Sequence, residues 1–516
     1  MMSIFSVFAQ KKSVPNVLNF KSAKDAGEII ENNKLVGYYI FYLKEKVDKK
    51  TSAYEVEMYD DNYNVTKSFE IIRPKNTLLL EMVYNGNAFM IHFYDSKTGY
   101  EFATFDRTGK ATGSKKIATD DISRWDLARV QQNLASATEN VNIFPNGKDG
   151  FIRSTFTKNK KTGYEVVAYD NNAKELWKYG SKETSDELEF VEINDVSANV
   201  LSATVSKKKN MMTRDVIMYC LLLDSKSGKL IKEMQLGSNE AGLRSLLKSF
   251  VNEETGSIYL VGEYYKPKDD ILKDKSVGLY LQEFSLSGKE LNKKEYKWKG
   301  DIDKFKNELD PEDKKGDRPF YVFFHDVVIA KNGHIFMIGE QFIKQVSAGG
   351  VALKVLAGAT GGSSNTSTLE IRVADMVVIE FDENKSMVDF KLIKKKGTSV
   401  LLPQGMGMYG TTTLGYYVKS QGDFDYSFTS SDKAKDNFEI VYIDADRKTE
   451  KKATTKADVM VGVISIKGGK LSQTRVPVNC TSNRWWLQPA KPGYISVTEY
   501  FRKEKRIDMR LEQLTY

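Results

Sequence analysis

The chain has 516 residues and a formal net charge of +8, a mild excess that no nucleic-acid-binding module accompanies. No apolar stretch is long enough to span a bilayer, so we expect neither a nucleic-acid partner nor a transmembrane span. Tyr and Phe contribute 27 residues each, as stacked β-sheets require. The two cysteines, Cys220 and Cys480, lie far apart in the chain and are expected to be buried thiols rather than a disulfide.

The N-terminus reads MMSIFSVFAQ and is similar to the end of a secretory signal peptide, with Val7 and Ala9 near its end but no basic region. We expect cleavage between Ala9 and Gln10. The chain then divides into a signal-peptide remnant, residues 1–9, and a β-propeller, residues 10–516. A few irregular N-terminal residues are the alternative.

A unit of two alternating strands around a hairpin tip, followed by a tight Asp-x-x-Gly-Lys turn, recurs about eight times. The turn is clearest at residues 105–110, 223–229 and 284–289. Period-two alternation indicates half-buried strands, and repeats of this size with several strands indicate a propeller. We therefore predict an all-β fold, a single β-propeller of eight four-stranded blades, with seven blades as the alternative. The second strands are predicted to begin near Gly37, Ala88, Phe151, Val200, Ser257, His334, Leu414 and Tyr494.

We name the strands of a blade A to D from the axis outward. The A-to-B and C-to-D turns are short and share one face, the short-turn face. The B-to-C tips and D-to-A connections share the other, the long-loop face, which holds nearly all insertions. Because loops on a rigid scaffold usually carry binding, we predict the long-loop face as the binding surface. The insertions are predicted at residues 119–140, 266–276, 300–319, 344–372 and 420–436, with a further hairpin at 438–458.

The first insertion contains a short helical segment, residues 122–137, which includes Arg124 and Trp125. We treat these two residues as ligand-binding candidates. A lid packed on the ring is the alternative.

The partner-loop candidates lie in the later insertions. Residues 347–368 are rich in Gly, Ala, Ser and Thr and have an apolar centre suited to docking. Many B-to-C tips are rich in lysine, which attracts an anionic glycan or an acidic protein; the alternative is that these lysines only solvate the tips. The candidates are Lys266, Lys268, Lys344, Val351, Leu353, Phe424 and Tyr426.

The sequence has three histidines and no recognised metal, nucleophile or phosphate-loop motif, so we predict no catalytic residue, metal or cofactor. His325 and Asp326 lie in a predicted A strand near the channel entrance and are ligand-binding candidates. Neighbouring side chains on a strand point to opposite faces, so a structural histidine is the alternative. Adjacent acids such as Asp120 and Asp121 could serve a glycan-active hydrolase or lyase in the axial funnel, but such acids usually stabilise turns.

The last unit holds only three predicted strands, at residues 484–488, 494–500 and 507–515. A short apolar strand at residues 17–20 is predicted to pair with the third of these and close the ring. Arg484, Trp485 and Trp486 are ligand-binding candidates, because one Trp of an adjacent pair can reach the channel mouth. The alternative is that both tryptophans seal the last blade against the first.

The N-terminal VFAQ, the strands rich in Lys, Tyr and Asn and the FDxxGK turns resemble those of uncharacterised exported propeller proteins of Gram-negative Bacteroidota. The resemblance implies an address in the periplasm or at the outer membrane, and no chemistry. We predict a non-catalytic interaction or scaffold propeller that binds an envelope protein or an anionic glycan through its long-loop face. The glycan-active enzyme is the alternative, and the oligomeric state stays open.

Overall fold

Eight antiparallel β-sheets form the blades of one ring in the computed structural model, which confirms the predicted eight-bladed all-β propeller. Blade 6 has a fifth strand in addition to the usual four. The structure describes residues 11–514 except for 21–24, 32–33, 136–141, 158–161, 183, 211–215, 253–254, 272, 307–320, 348–365, 433–435 and 445–456.

The first four blades follow chain order after the N-terminal strand β1 (Lys11–Val14). Their strands are, in blade 1, β2 (Ala26–Glu31), β3 (Lys34–Lys46), β4 (Thr51–Asp60) and β5 (Val65–Pro74); in blade 2, β6 (Leu78–Tyr84), β7 (Ala88–Asp95), β8 (Gly99–Asp106) and β9 (Ala111–Ile117); in blade 3, β10 (Ile143–Asn146), β11 (Gly150–Thr157), β12 (Gly163–Asp170) and β13 (Glu175–Gly180); and in blade 4, β14 (Leu188–Val196), β15 (Val200–Lys208), β16 (Val216–Asp224) and β17 (Leu230–Gly237).

The second four blades continue in the same order, and β1 completes the last of them. Their strands are, in blade 5, β18 (Arg244–Asn252), β19 (Ser257–Tyr264), β20 (Gly278–Ser285) and β21 (Glu290–Lys297); in blade 6, β22 (Tyr321–Ile329), β23 (Ile335–Val346), β24 (Thr366–Phe381), β25 (Met387–Ile393) and the added β26 (Thr398–Pro403); in blade 7, β27 (Tyr426–Asp432), β28 (Asn437–Ile443), β29 (Ala457–Lys467) and β30 (Lys470–Cys480); and in blade 8, β31 (Trp485–Pro489), β32 (Tyr494–Phe501) and β33 (Arg506–Gln513).

The described helices lie in D-to-A connections, on the long-loop face. They are α1 (Arg124–Ala135), α2 (Asp303–Lys306) and α3 (Thr411–Ser420), with a π-helical turn at Trp298–Ile302 and 3-10 turns at Thr119–Asp121 and Met406–Met408. α1 confirms the predicted helical segment.

The N-terminal strand closes the ring, as predicted, but with other residues than those predicted. β1 pairs antiparallel with β33, beginning with Lys11 opposite Arg510. Residues 17–20 do not form this strand. Val17 and Phe20 are instead buried in the gap between blades 8 and 1, where Phe20 meets Trp486 edge-on at 5.3 Å. The apolar side chains of residues 17–20 favour a strand by composition, but they are apolar because they fill this gap.

The B strand predicted to begin at Leu414 is wrong, because Leu414 lies inside α3. Leu414 and Val418 are four residues apart, so both face the same side of a helix and pack on Phe342. The B strand of blade 7 is β28, which the sequence interpretation assigned to an inserted hairpin. The predicted insertion at residues 420–436 likewise contains the A strand of that blade, β27.

The hydrophobic core is divided among the gaps between blades. Side chains alternate along each strand, so every blade presents apolar residues to both neighbours. Between blades 6 and 7, for example, Phe336 and Ile338 of β23 pack with Tyr442 of β28 and Ile464 of β29. Comparable clusters fill the other gaps. The two cysteines are buried and free, as predicted.

Several C-to-D turns of the short-turn face are held by their own aspartate. Asp106 Oδ1 accepts the backbone N–H groups of Thr108 at 2.8 Å and Lys110 at 3.0 Å. Gly109 follows with φ +82°, and a Cβ there would lie 2.2 Å from the Phe69 ring of the preceding blade. Asp106 therefore stabilises its turn, and Gly109 lets the turn approach the preceding blade.

Candidate functional site

An axial cavity of about 2950 Å³ occupies the centre of the ring. All eight A strands line it, and each A strand is the edge strand of its sheet. Strand edges carry free backbone groups that invite pairing with another chain. The cavity is thus walled by eight edges on which an added strand could form.

Most of these edges are irregular. In blades 2, 4, 5, 6 and 7 the A strand carries one extra residue relative to its B strand. Such bulges twist an edge away from pairing and re-aim side chains. In blades 3 and 8 the A strands have only four and five residues. The wall therefore discourages strand addition and favours recognition by side chains. The extra residues all line the cavity: Leu80, Asn194, Leu247, His325 and Ser427.

Insertions surround the long-loop end of the cavity. We call six of the described side chains that line this end the axial mouth. One comes from α1, one is a carboxylate of β14, and the others come from α3 and the loop before it: Arg129, Glu192, Tyr409, Thr412, Tyr416 and Lys419.

Close packing holds α3 over the cavity. Gly410, just before α3, lies so near Lys273 that an added Cβ would come within 2.4 Å of the Lys273 Cα. Leu414 and Val418 anchor the helix in the apolar cluster beneath it. Tyr416, two residues beyond Leu414, consequently faces the cavity and is 53% exposed.

One phenylalanine supports two side chains of the axial mouth. The Tyr416 ring meets the Phe323 ring edge-on, with centroids 5.5 Å apart. Lys419 Nζ lies 5.6 Å from the centroid of the same Phe323 ring. Tyr416 and Lys419 are therefore held side by side on α3.

The opposite side of the axial mouth combines a cation and a carboxylate. Arg129 Nη1 donates to Asn142 Oδ1 at 3.1 Å, and its guanidinium lies 4.2 Å from the centroid of the Phe156 ring. Glu192 is exposed within the cavity. The surrounding walls desolvate the Tyr416 phenol and raise its pKa to about 12, with a further contribution from the charge of Glu192. At neutral pH the axial mouth thus offers a neutral phenol near both charge signs.

Glu81 is a second carboxylate of the cavity wall, in β6. Its Oε1 accepts the backbone N–H groups of Asn142 at 3.0 Å and Ile143 at 3.1 Å. Burial raises the pKa of Glu81 to about 8, although these hydrogen bonds oppose the shift. The carboxylate fixes the beginning of β10 against blade 2.

The structure brings three sequence-predicted candidates together. The Tyr426 ring stacks on His325 with centroids 4.6 Å apart, and Phe424 meets His325 edge-on at 4.8 Å. His325 Nε2 lies 3.3 Å from Glu340 Oε2, and these two side chains are 3% and 0% exposed. Burial lowers the pKa of His325, although the carboxylate opposes this. Phe424 is 6% exposed, so it packs inside the molecule.

A buried ion network continues from this cluster. Lys395 Nζ lies 2.5 Å from Asp425 Oδ2 and 3.9 Å from Glu340 Oε1, and all three side chains are fully buried. Thr398 Oγ1 donates to Asp425 Oδ1 at 3.0 Å. Burial alone would raise the pKa of Glu340, but His325 and the charge of Lys395 lower it below its usual range. The network joins blade 6 to the beginning of blade 7.

Asp326 points away from His325, so the two adjacent candidates do not meet. Its carboxylate forms an ion pair with Lys248 of β18, and Oδ1 accepts the Val327 N–H at 2.8 Å. Lys248 and Asp326 both follow bulges and both line the cavity. The pair ties blade 5 to blade 6 at the cavity wall.

Trp485 and Trp486 lie on opposite sides of blade 8. Trp486 packs in the gap between blades 8 and 1, and Trp485 packs in the gap between blades 7 and 8. Both are half-buried and also line the cavity. Arg484 is exposed, and its carbonyl accepts the Tyr500 N–H. The two rings therefore fill different gaps while keeping access to the axis.

Trp125 attaches α1 to the ring. Its Nε1 donates to Thr162 Oγ1 at 2.6 Å, and its ring meets Phe190 edge-on at 5.3 Å. Arg124 is exposed, with its guanidinium 5.2 Å from the Trp125 ring. Among the described side chains of α1, Arg129 lines the cavity.

The partner-loop candidates occupy separate insertions. Lys266 donates its backbone N–H to Asp269 Oδ2 at 3.0 Å, and Lys268 has φ +68°. Lys344 Nζ donates to the carbonyl of Gly407 at 2.8 Å, which ties the β23 tip to the insertion before α3. The other two candidates lie outside the described residues: Val351 and Leu353.

In the described part of the chain, no three His, Cys, Asp or Glu side chains are grouped to hold a metal ion. No helix among the described residues is both long and apolar enough to cross a membrane.

The chain belongs to DUF6770, a family of unknown function that matches residues 1–515. No curated protein matches the sequence. Among solved structures, dihydro-heme d1 dehydrogenase NirN is similar with 10% identity and a TM-score of 0.42, over 95% of this chain and 72% of that chain. The β-propeller domain of the Trilobed protease from Pyrococcus furiosus has 11% identity and a TM-score of 0.35, over 84% and 93%.

Prolyl oligopeptidase B from Galerina marginata is another similar structure, with 8% identity and a TM-score of 0.39. The alignment covers 96% of this chain and 56% of that chain, so the present chain spans little more than half of the length of that protein.

Sequence reasoning missed the axial mouth and the buried network. Arg129 lies in the predicted helix three residues after Asp126. Residues at this spacing lie on the same side of a helix, and this signal could have identified Arg129. Tyr416 and Lys419 were hidden by the wrong strand assignment at Leu414. Lys395 is the middle residue of three consecutive lysines, a pattern that usually indicates a solvated segment.

Proposed function

We propose that this protein is a non-catalytic interaction propeller that binds an envelope protein or a glycan through its long-loop face. The observation that carries the proposal is the position of the insertions, since α1, α3 and the tip containing Lys273 surround one end of the axial cavity. The opposite end is bordered by short turns. Binding surfaces are usually built from variable loops on a rigid scaffold.

We also propose that the protein acts after export, in the periplasm or at the outer membrane of a Gram-negative bacterium of the Bacteroidota. The support is the N-terminal sequence, with Val7 and Ala9 before Gln10, and the resemblance of the repeats. N-terminal sequencing of the native protein should find a chain that begins at Gln10. A native cytoplasmic chain that retains Met1 would contradict export.

A glycan-active enzyme is the second candidate, and the observation that favours it is Glu81. A carboxyl group with its pKa raised to about 8 in a cavity has the properties of a general acid. Its oxygens, however, accept the N–H groups that begin β10. His325 and Asp326 are also engaged, with Glu340 and Lys248. These contacts favour binding over catalysis.

The test compares the two faces. Purified chain is immobilised and incubated with an envelope fraction, and bound proteins and glycans are identified by mass spectrometry. Replacing residues 348–365, between β23 and β24, by a short Gly-Ser linker should leave the thermal midpoint unchanged, since loop length costs little, but reduce capture. Asp106→Ala, on the short-turn face, is the control and should capture as the wild type does. Capture that survives replacement of residues 348–365 and of the neighbouring insertions would exclude the long-loop face.

A further inference from the structure

We infer that the axial mouth binds an oligosaccharide, with Tyr416 as the platform for a sugar ring and with Glu192 and Lys419 as hydrogen-bonding partners of its hydroxyl groups. The inference rests on the proposed binding role of the long-loop face. It selects the glycan from the two proposed ligand classes and places the ligand at the axis rather than on the outer tips.

Two tyrosines are exposed within the concave axial cavity. Tyr416 is 53% exposed and Tyr409 is 48% exposed, and both line the axial cavity. Tyrosine combines a large apolar face with a polar tip, and such residues are favoured where one partner surface is both apolar and hydroxylated. Sugar rings have this character, since their C–H faces stack on aromatic rings while their hydroxyl groups form hydrogen bonds at the edges.

Polar groups line the same cavity as Tyr416. Thr412 and Lys419 belong to the same helix as Tyr416, and Glu192 is exposed in the cavity lining. A carboxylate accepts and an ammonium donates, so together they can satisfy the donor and acceptor roles of a hydroxyl group. The presence of both charge signs in one lining fits a hydroxylated ligand better than a polyanion.

A peptide strand is not the favoured occupant. An extended peptide recognised by a sheet needs a regular, exposed edge. Five A strands carry an extra residue, and those of blades 3 and 8 are very short; the extra residues are Leu80, Asn194, Leu247, His325 and Ser427. β2 of blade 1 has six residues and no extra one. Seven of the eight edges are thus unsuited to pairing, which favours recognition by side chains.

The size of the cavity agrees with a chain of several sugars. Sites for drug-sized molecules have volumes of about 300–1,000 Å³. The axial cavity, at about 2950 Å³, exceeds this range. A single small metabolite would leave most of it filled with water, whereas an oligosaccharide end can enter from the long-loop side.

The test uses the full chain, fluorescently labelled, on an array of neutral, acidic and amino-sugar oligosaccharides, followed by calorimetry with the best binder. Tyr416→Ala should weaken the measured affinity about tenfold or more, a loss of about 1.4 kcal/mol. Tyr416→Phe keeps the ring and should retain affinity within about threefold. Glu192→Gln should weaken binding, whereas Glu187→Gln, an exposed carboxylate of the same blade outside the cavity lining, should not.

Each other outcome overturns the inference. No binding to any oligosaccharide on the array contradicts it, as does equal binding by wild type and Tyr416→Ala. Binding of an immobilised random peptide library that Tyr416→Ala abolishes, without oligosaccharide binding, would assign the axial mouth to peptides. If the 348–365 replacement still reduces envelope capture in these cases, the proposed long-loop function stands and only the glycan assignment falls.

Discussion

The short-turn face and the long-loop face are formed by the same repeating unit, and they differ in how much the lengths of their connections vary. On the short-turn face the turn residues serve the turn itself and its contact with the preceding blade, as Asp106 and Gly109 do. On the long-loop face the connections range from a few residues to the insertion that contains β26 and α3. The ring thus constrains one face and leaves the other open to elaboration.

The elaborated face is nevertheless tied into the ring. Lys395, Asp425 and Glu340 form a fully buried ion network at the base of the α3 insertion. The short-turn face uses exposed or half-buried hydrogen bonds for the same purpose. We infer that insertions on a propeller need stronger anchors than turns do.

Ring closure should give the largest effect. Deleting residues 1–20 removes β1 and the buried side chains of Val14, Val17 and Phe20. At about 1.5–3 kcal/mol for each buried apolar side chain, the free energy of unfolding should fall by about 5–9 kcal/mol in denaturant titrations. Deleting residues 1–9 alone should change nothing. If the long deletion does not fold, Phe20→Ala should still lower stability by about 3–5 kcal/mol. Unchanged stability in both variants would contradict closure.

The buried network should come next. Lys395→Met leaves the Asp425 and Glu340 carboxylates without their cation, and the free energy of unfolding should fall by about 3–5 kcal/mol. Lys396→Met is the matched control, because its side chain is exposed, and should change stability by less than about 0.5 kcal/mol. Equal effects of the two variants would show that the network does not anchor the insertion.

Acid should destabilise the gap between blades 2 and 3. His92 is buried between Tyr100 and Phe102, and burial together with the nearby charge of Arg153 holds its pKa well below 6.5. His92 therefore binds a proton in the unfolded chain that it does not bind in the folded chain. The free energy of unfolding consequently falls as the pH drops below about 6.5. The loss should grow as the pH falls from 6.5 to 5, by at most about 1.4 kcal/mol per pH unit. His92→Phe should remove this part of the slope; an unchanged slope would show that His92 does not titrate in this way.

A single turn should give the smallest effect. Asp106→Ala removes two hydrogen bonds to backbone N–H groups and should lower the free energy of unfolding by about 1 kcal/mol. Asp224→Ala, in the equivalent turn of blade 4, should give a similar value. A loss as large as that of Lys395→Met would remove the difference between the two faces.

The fold could be predicted because its signals are local. Asp-x-x-Gly turns and period-two alternation are each set within a few residues, and they located seven of the eight B strands. The exception at Leu414 came from the TTTLGYYV run, whose β-branched and aromatic residues favour a strand by composition. Leu414 and Val418 are four residues apart, as on one side of a helix. This spacing indicates a helix only once it is known that this side of the segment is buried.

The site could be predicted only in part, because its residues meet through the ring and not along the sequence. His325, Phe424 and Tyr426 were named separately, and nothing local indicates that they stack. No local pattern distinguishes Lys395 from the lysines on either side of it. Its side chain enters the buried network only because of its position after the end of the D strand, β25. Tyr416 and Glu192 come from blades that are far apart in sequence, so only the closed ring places them at one cavity.

The most direct test of the central claim is a hydrogen-exchange footprint of the full chain with the envelope component or oligosaccharide that it captures. The account predicts slower exchange upon binding in α1, in α3 and in the tip that contains Lys273, with the C-to-D turns unchanged. Slower exchange confined to turns such as residues 105–110, with α3 unaffected, would contradict it and assign binding to the short-turn face.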